Sequence, residues 1–388
     1  MKILCVGGGS GGHVTPVAAI ISAIQKQAPE AEIRFITDQR FLKHSLDMMK
    51  PLSVGVSTVP AGKMRRYANL KWHDHFRHFF VSYIPNFFDL FKLAFGIFKS
   101  YFKILAFKPD VVFIKGGYVG LPVGLAARFF KNCPIVLHDS DASPGLTNRI
   151  LSKYATKIAV GMPLEFSKYD KSKTEFVGIP VGEDFSPASA AEKSVIREKY
   201  KISNDSPVIL VIGGSQGAVA INQAVLEAYP KLGDLAAVFM VAGEVNYHSV
   251  KEVVDQNPQS FNGLQVLSYI KNTAELMRMS DIVITRAGAT TVAELSAVGV
   301  ASIIIPSPYL ASDHQTKNAE LFEKNQSAIV LSEDELTGEK LYNTVQDLLK
   351  DKTLRAELAK NLAKFHIKDS ADKVANMIIK VGQDAAQK

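Results

Sequence analysis

The sequence predicts an α/β protein of two domains, each a parallel sheet covered by helices on both faces. Three observations predict it. Apolar runs of four to six residues alternate with segments of helical period along most of the 388 residues. A chain of this length exceeds one ordinary core, and two cores of roughly 150–200 residues are the natural division. A strand running into a glycine-rich turn also occurs twice: Lys2–Val6 into Gly7-Gly-Gly-Ser-Gly-Gly-His13, and Val208–Ile212 into Gly213-Gly-Ser-Gln-Gly217.

In chain order, Ile3–Val6, Ile33–Ile36, Val111–Ile114 and Ile135–Leu137 read as strands of the first domain. Ile209–Ile212, Val238–Val241, Ile282–Ile284 and Ser302–Ile305 read as strands of the second. Uninterrupted apolar runs suit parallel strands buried on both faces. The halves also repeat. Asp110-Val-Val-Phe-Ile-Lys-Gly-Gly-Tyr118 matches Asp281-Ile-Val-Ile-Thr-Arg-Ala-Gly-Ala289 in pattern, a strand followed by a small-residue turn. Ahead of this repeat the first half is longer by about 34 residues, and its composition shows where they lie. Residues 72–108 hold 10 of the 22 phenylalanines with Arg77, Lys92, Lys99, Lys103 and Lys108. Pro85, Asn86, Asp89 and Lys92 interrupt the apolar run, which argues against a membrane-crossing helix. Phe88, Phe91, Phe95, Phe98 and Phe102 recur at helical spacing, and two readings stay open: a core-facing stripe, or a basic-aromatic patch for a membrane surface.

The halves join near Phe176–Val181, where a polar stretch, Glu183–Lys193, begins. The expected domains are 1–181 and 182–362. Amphipathic helix dominates after residue 332, and the last helix, 363–388, is expected to pack back onto the first domain.

Hydrophobic content of 47% and charged content of 21% describe a folded globular chain. A net charge of +7 and a pI near 9.1 favour anionic partners. Cys5 and Cys133 sit in apolar runs with no disulfide or zinc spacing, as buried thiols of a reducing compartment do. Met-Lys leads directly into a strand, without a signal-peptide pattern, so a cytoplasmic protein is expected.

The chemistry gathers at the turns. A glycine turn between strand and helix presents unpaired N–H groups with the helix dipole behind them, a site for phosphate. His13 closes the first such turn and has no counterpart in the second. A neutral imidazole at a helix N-terminus suits a general base; a capping or packing histidine is the plain alternative. Gly116-Gly-Tyr-Val-Gly-Leu-Pro122 would add a second set of donors at the same sheet edge, enough for a pyrophosphate. In the second half Arg286–Glu294 follows a strand, and Glu294 on the next helix can accept both hydroxyls of a ribose. Asp313-His-Gln-Thr-Lys-Asn318 brings amides and hydroxyls suited to a sugar.

Gly7–Pro16, Gly116–Pro122, His138–Asn148, Gly213–Ala218, Arg286–Gly299 and Asp313–Ala319 resemble, in order and spacing, the motifs of one family. It is the MurG family of UDP-N-acetylglucosamine–N-acetylmuramyl-(pentapeptide) pyrophosphoryl-undecaprenol N-acetylglucosamine transferases, which makes lipid II in bacteria. The resemblance spans roughly residues 1–365. It implies a GT-B fold, two Rossmann-like domains facing a cleft, and inverting transfer of N-acetylglucosamine from UDP-N-acetylglucosamine to the C4 hydroxyl of lipid I. It implies His13 as catalytic residue. It implies donor contacts from Ser10, Gly11, Gly12, Asp141, Ser215, Gln216, Ile270, Ala289, Thr290, Thr291, Glu294, Gln315 and Asn318. Gly9, Gly116, Gly117, Tyr118 and His138 would meet the acceptor, an undecaprenyl-pyrophosphoryl glycolipid. The expected place is the cytoplasmic face of the cell membrane, as a peripheral protein on an anionic surface, with no nucleic acid partner. Neither a cofactor nor a metal is required by this resemblance. A diacylglycerol-type lipid acceptor, or a UDP-sugar epimerase on the same fold, are the alternatives.

The sequence departs from the family at Asp139-Ser-Asp141, where Glu-Gln-Asn is usual, at Gly182 in place of an arginine, and at Gly120 in place of a serine. Asp141 keeps an acceptor but loses a donor. Arg286 or a lysine would have to compensate for the missing arginine. Asp139-Ser-Asp141 also spells the D-x-D of metal-dependent transferases, but stands inside a motif that binds no metal.

Overall fold

A computed structural model describes residues 1–9, 11–64, 83–141, 143–214, 217–270, 272–309 and 313–387. They form two compact units: Met1–Gly182 with Tyr309–His314 and Ile367–Lys388, and Glu183–Pro308 with Gln315–His366.

The first unit contains β1 (Lys2–Val6), α1 (Thr15–Gln27), β2 (Glu32–Thr37), α2 (Leu42–Met49), β3 (Gly55–Thr58), α3 (Ile84–Phe107), β4 (Val111–Ile114), α4 (Gly117–Lys131), β5 (Ile135–Asp139), α5 (Leu146–Leu151), β6 (Lys157–Val160) and β7 (Thr174–Phe176). The second runs through α6 (Ala190–Lys199), β8 (Val208–Ile212), α7 (Val219–Leu232), β9 (Ala237–Val241), α8 (Tyr247–Gln256), β10 (Gln265–Leu267), α9 (Thr273–Met279), β11 (Ile282–Thr285), α10 (Ala289–Val298), β12 (Ala301–Ile304), α11 (His314–Lys324), β13 (Ile329–Val330), α12 (Gly338–Lys350) and α13 (Lys352–Ala363). The final helix, α14 (Ser370–Ala386), belongs to the first unit.

Both sheets are parallel throughout, with orders β3-β2-β1-β4-β5-β6-β7 and β10-β9-β8-β11-β12-β13. Each reverses direction at one place, between β1 and β4 in the first and between β8 and β11 in the second. Ligands of doubly wound sheets bind at the carboxyl ends of the strands flanking such a switch point. Both glycine turns of the first half, and the Gly213 and Arg286 turns of the second, leave from those four strands.

The repeat has a physical counterpart at the opposite ends of these strands. Asp110 accepts the Lys2 backbone N–H at 2.7 Å and returns its own N–H to the Lys2 carbonyl at 2.8 Å. Asp281 does the same for Val208, at 2.9 and 2.8 Å. The registers follow: Ile3 lies opposite Val111, and Ile209 opposite Ile282. Asp281 also pairs with Arg197 at 2.8 Å, an ion pair the first unit does not repeat among the described residues.

Central strands are buried on both faces, so each sheet separates two apolar layers. In the first unit Ile20, Ile21 and Ile24 of α1 share one layer with Val374, Ile378 and Val381 of α14. The other layer holds Val119 and Val123 of α4 with Ile104 and Phe107 of α3.

Helix α3 decides against one of the two readings of the phenylalanine stripe for the residues described. Its packed face is Asp89, Gly96, Ser100, Ile104 and Phe107, whereas Phe87, Phe88, Phe91, Phe95, Phe98 and Phe102 are each at least half exposed. A side chain at Gly96 would meet the Pro60 carbonyl at 2.1 Å, so close approach selects the small residues for the inner face. The core-facing reading of the stripe is therefore corrected. Residues 72–82 of the aromatic segment lie outside the described residues. Among the described residues no helix is long and apolar enough to cross a membrane.

Candidate active site

In the first unit the two glycine turns interlock. Gly7 donates to the Ile36 carbonyl at 3.1 Å, and Lys115 donates to the Val6 carbonyl at 3.0 Å, so both turns start from one hydrogen-bonded edge. A Cβ on Gly117 would fall 2.4 Å from the Gly8 carbonyl oxygen and 3.5 Å from the His13 ring, and Gly117 has a φ of 72°. Only glycine allows that approach. Gly9, Gly116 and Gly117 thus meet at the carboxyl edge of β1 and β4; Ser10 lies outside the described residues.

Asp38, just past β2, organises this edge. Its carboxylate accepts the Gly9 N–H at 2.8 Å and the N–H groups of Arg40 and Phe41 at 2.9 and 3.2 Å. It also takes the Tyr118 hydroxyl, and burial with this carboxylate pushes the phenol well above its ordinary range. Sequence reasoning missed Asp38, because its role depends on β2 lying beside β1. The one available signal is an Asp directly after a buried strand.

His13 ends a one-turn 3-10 segment, Gly11–His13, whose closing bond runs from Val14 N–H to the Gly11 carbonyl at 2.9 Å. It therefore precedes α1 rather than standing at its N-terminus. The residue is half-buried. Burial, then the Lys115 ammonium, pull its pKa down to about 4, while the Asp141 carboxylate acts the other way. The imidazole is therefore neutral at physiological pH, held so by burial and a neighbouring cation.

The segment after β5 is a buried polar cluster. Lys115, 2% exposed, donates to the Ser140 hydroxyl at 2.6 Å. Burial lowers its ammonium to about 8 against the opposing pull of Asp139 and Asp141. Asp139 accepts the Tyr169 hydroxyl at 2.5 Å, and burial raises its pKa to about 6, with Asp141 adding to the rise. His138 corrects an expectation. Its ring has no exposed surface, its Nε2 meets the Gly178 carbonyl at 2.9 Å, and its own carbonyl accepts from Asn148 at 3.0 Å. It clamps the turn instead of facing an acceptor. Gly120 also has a reason: a side chain there would meet Ile114 at 2.4 Å, so the usual serine does not fit this packing.

In the second unit Ser215 and Gln216 lie outside the described residues. Of the flanking glycines, Gly217 donates its N–H to the Gly214 carbonyl at 2.9 Å. Ala289, Thr290 and Thr291 form the first turn of α10, so their N–H groups point out of the positive end of that helix. Glu294 is one turn further along, partly exposed, and burial raises its pKa to about 8. Ile270, in the loop after β10, is half-buried against the core. Gln315 accepts the Ser307 N–H at 2.9 Å, and the fully buried Asn318 donates to the Ala287 carbonyl at 3.1 Å. Both tie α11 to the turns beside α10. Arg286 is held by Glu333 and by the Ile305 carbonyl at 3.1 Å, so its guanidinium is already engaged in place of standing in for the arginine absent at Gly182.

Residues 3–160 match the glycosyltransferase family 28 N-terminal domain, and residues 208–374 match its C-terminal domain. The chain is 33% identical, over 99% of its length and 100% of the relative's, to a protein of Exiguobacterium sp. named UDP-N-acetylglucosamine–N-acetylmuramyl-(pentapeptide) pyrophosphoryl-undecaprenol N-acetylglucosamine transferase. The crystal structure of Acinetobacter baumannii MurG superposes with a TM-score of 0.68 at 24% identity, covering 98% of this chain and 99% of that one. A UDP-GlcNAc 2-epimerase from Neisseria meningitidis bound to UDP-GlcNAc gives 0.67 at 13%, covering 98% and 100%, so the fold alone does not choose between the two chemistries. Sequence identity over nearly the full length does choose: the chain belongs to the UDP-N-acetylglucosamine–N-acetylmuramyl-(pentapeptide) pyrophosphoryl-undecaprenol N-acetylglucosamine transferase family, two Rossmann-like units of the GT-B class.

Proposed function

We infer that this protein transfers N-acetylglucosamine from UDP-N-acetylglucosamine to the C4 hydroxyl of lipid I, making lipid II. Within the family, the observation that carries this reading is the neutral His13 set against two interlocked glycine turns. The turns offer backbone donors to the acceptor's pyrophosphate. His13 takes the C4 proton as that oxygen attacks the anomeric carbon from the face opposite UDP. The bond to the UDP oxygen breaks, and an α-linked donor becomes a β-linked product. Asp141, on the His13 side of the cluster, stabilises the imidazolium that forms. On the second unit Glu294 accepts the ribose hydroxyls, and the α10 N-terminus takes the charge that develops on the leaving diphosphate.

The exposed face of α3 supports membrane attachment. Its phenylalanines are joined at one end by Phe129 and Phe130 of α4, with Tyr101 and Phe130 centred 5.0 Å apart. Lys99 and Lys103 lie on the same helix. This is a basic-aromatic surface suited to anionic lipid on the cytoplasmic face. Phe91→Glu with Phe95→Glu should weaken co-flotation with phosphatidylglycerol vesicles by at least about tenfold; unchanged flotation would sink the attachment.

The transfer reading is tested by incubating the protein with labelled UDP-N-acetylglucosamine and lipid I. A β-linked disaccharide lipid is expected. Conversion of the donor without lipid, or transfer to a diacylglycerol but not to lipid I, would contradict it.

A further inference from the structure

Lys115 is the cation of the buried cluster and has no part in the mechanism above, and its placement is unusual. It follows β4 directly, its backbone N–H is fixed to the carbonyl of Val6 at the root of the first glycine turn, and its side chain is 2% exposed. Removing a lysine side chain from water is costly unless charged or polar groups receive it. Here Ser140 receives it at 2.6 Å, between Asp139 and Asp141 in sequence. The next two residues, Gly116 and Gly117, carry the second turn against His13.

We infer that Lys115 is a positioning residue: its ammonium, buried on Ser140 beside the first glycine turn, balances the charge that Asp141 brings to His13. Without the cation, Asp139 and Asp141 would face each other unscreened, and Asp141 would draw a proton onto the histidine. Without Asp141, the cation would be left to depress His13 unopposed. The titratable groups facing His13 are Lys115, Asp141 and His314, the last clustering with the first unit; those facing Lys115 are Asp139, Asp141, His13 and His138. Lys115 and Asp141 are thus an interdependent pair.

The inference is read from His13 itself, so it stands or falls separately from the assigned reaction. The test is an NMR titration of histidine-labelled full-length protein, with the His13 signal assigned by its loss in His13→Gln. In Lys115→Met the His13 midpoint should move up by about one pH unit, and in Asp141→Asn it should move down by a similar amount. In the double variant it should return close to the wild-type value. Lys115→Gln, which keeps a hydrogen bond to Ser140 without the charge, gives the same upward shift and serves should the apolar variant not fold. Turnover of lipid I, lowered on the order of tenfold in either single variant, should recover to within about threefold in the double. A His13 midpoint unmoved in both neutral Lys115 variants, or a double variant no closer to wild type than the worse single one, would overturn the inference.

Discussion

The two units are built on one plan and finished differently. In each, an aspartate at the start of the second switch-point strand holds the start of the first, and glycine turns leave from the other ends of those strands. In the second unit the turns lead to a helix N-terminus and the Glu294 carboxylate. In the first, the same edge carries His13, a buried lysine and the aspartates Asp38, Asp139 and Asp141. Under the proposed reaction, the difference teaches that the shared fold would supply a phosphate cradle in each unit, and the side chains behind it would decide whether that unit holds a leaving group or activates a nucleophile.

The comparison breaks most severely at His13. His13→Ala should lower turnover of lipid I by about 10²–10⁴-fold, the usual contribution of a positioned base, measured in steady-state transfer assays. No substitution in the Gly213–Gly217 turn removes a base.

The paired aspartates give the next largest contrast. Asp281→Ala leaves Arg197, with a side chain only 9% exposed, without its carboxylate and should cost about 3 kcal/mol. Asp110→Ala removes the equivalent backbone staple alone and should cost about 1 kcal/mol. Calorimetric unfolding of both variants should show the larger fall in Tm for Asp281→Ala; equal falls would mean the Arg197 pair contributes nothing.

Glu294 sharpens the comparison by pH. Burial raises it from an ordinary 4.5 to about 8, so the ligand-free carboxyl is largely protonated at neutral pH. A ribose donates to the carboxylate, so UDP affinity should rise between pH 6 and 8, by up to about tenfold per pH unit, and level off above. Glu294→Gln should abolish that dependence and weaken UDP binding on the order of tenfold at pH 8.5. The sign for folding is the reverse. A raised acid favours the folded state below 4.5, and that contribution is lost as pH rises through about 8. The two trends are separable by measuring Tm and UDP affinity across the same buffers.

Much of this was legible in the sequence. All eight apolar runs lie in or within one residue of strands, because a strand buried on both faces has no polar side to disguise it. β3, β6, β7, β10 and β13 were not marked as strands: they are short, lie toward the sheet edges or mix polar residues into the run. Helical period found the α3 phenylalanines but not the direction they face, since Gly96 and Ser100 make the packed side without adding to an apolar count. At the site, glycine turns and His13 are local patterns and could be read. Asp38, Lys115 and the clamp made by His138 depend on which strands become neighbours, information that spacing along one chain does not hold.

The division of labour between the units is tested most directly in the inactive protein. Calorimetric titration of UDP into His13→Ala should give an affinity within about twofold of wild type, while lipid I transfer is lost. If UDP affinity fell in step with turnover, His13 would belong to the donor's site, and the assignment of acceptor activation to the first unit would be wrong.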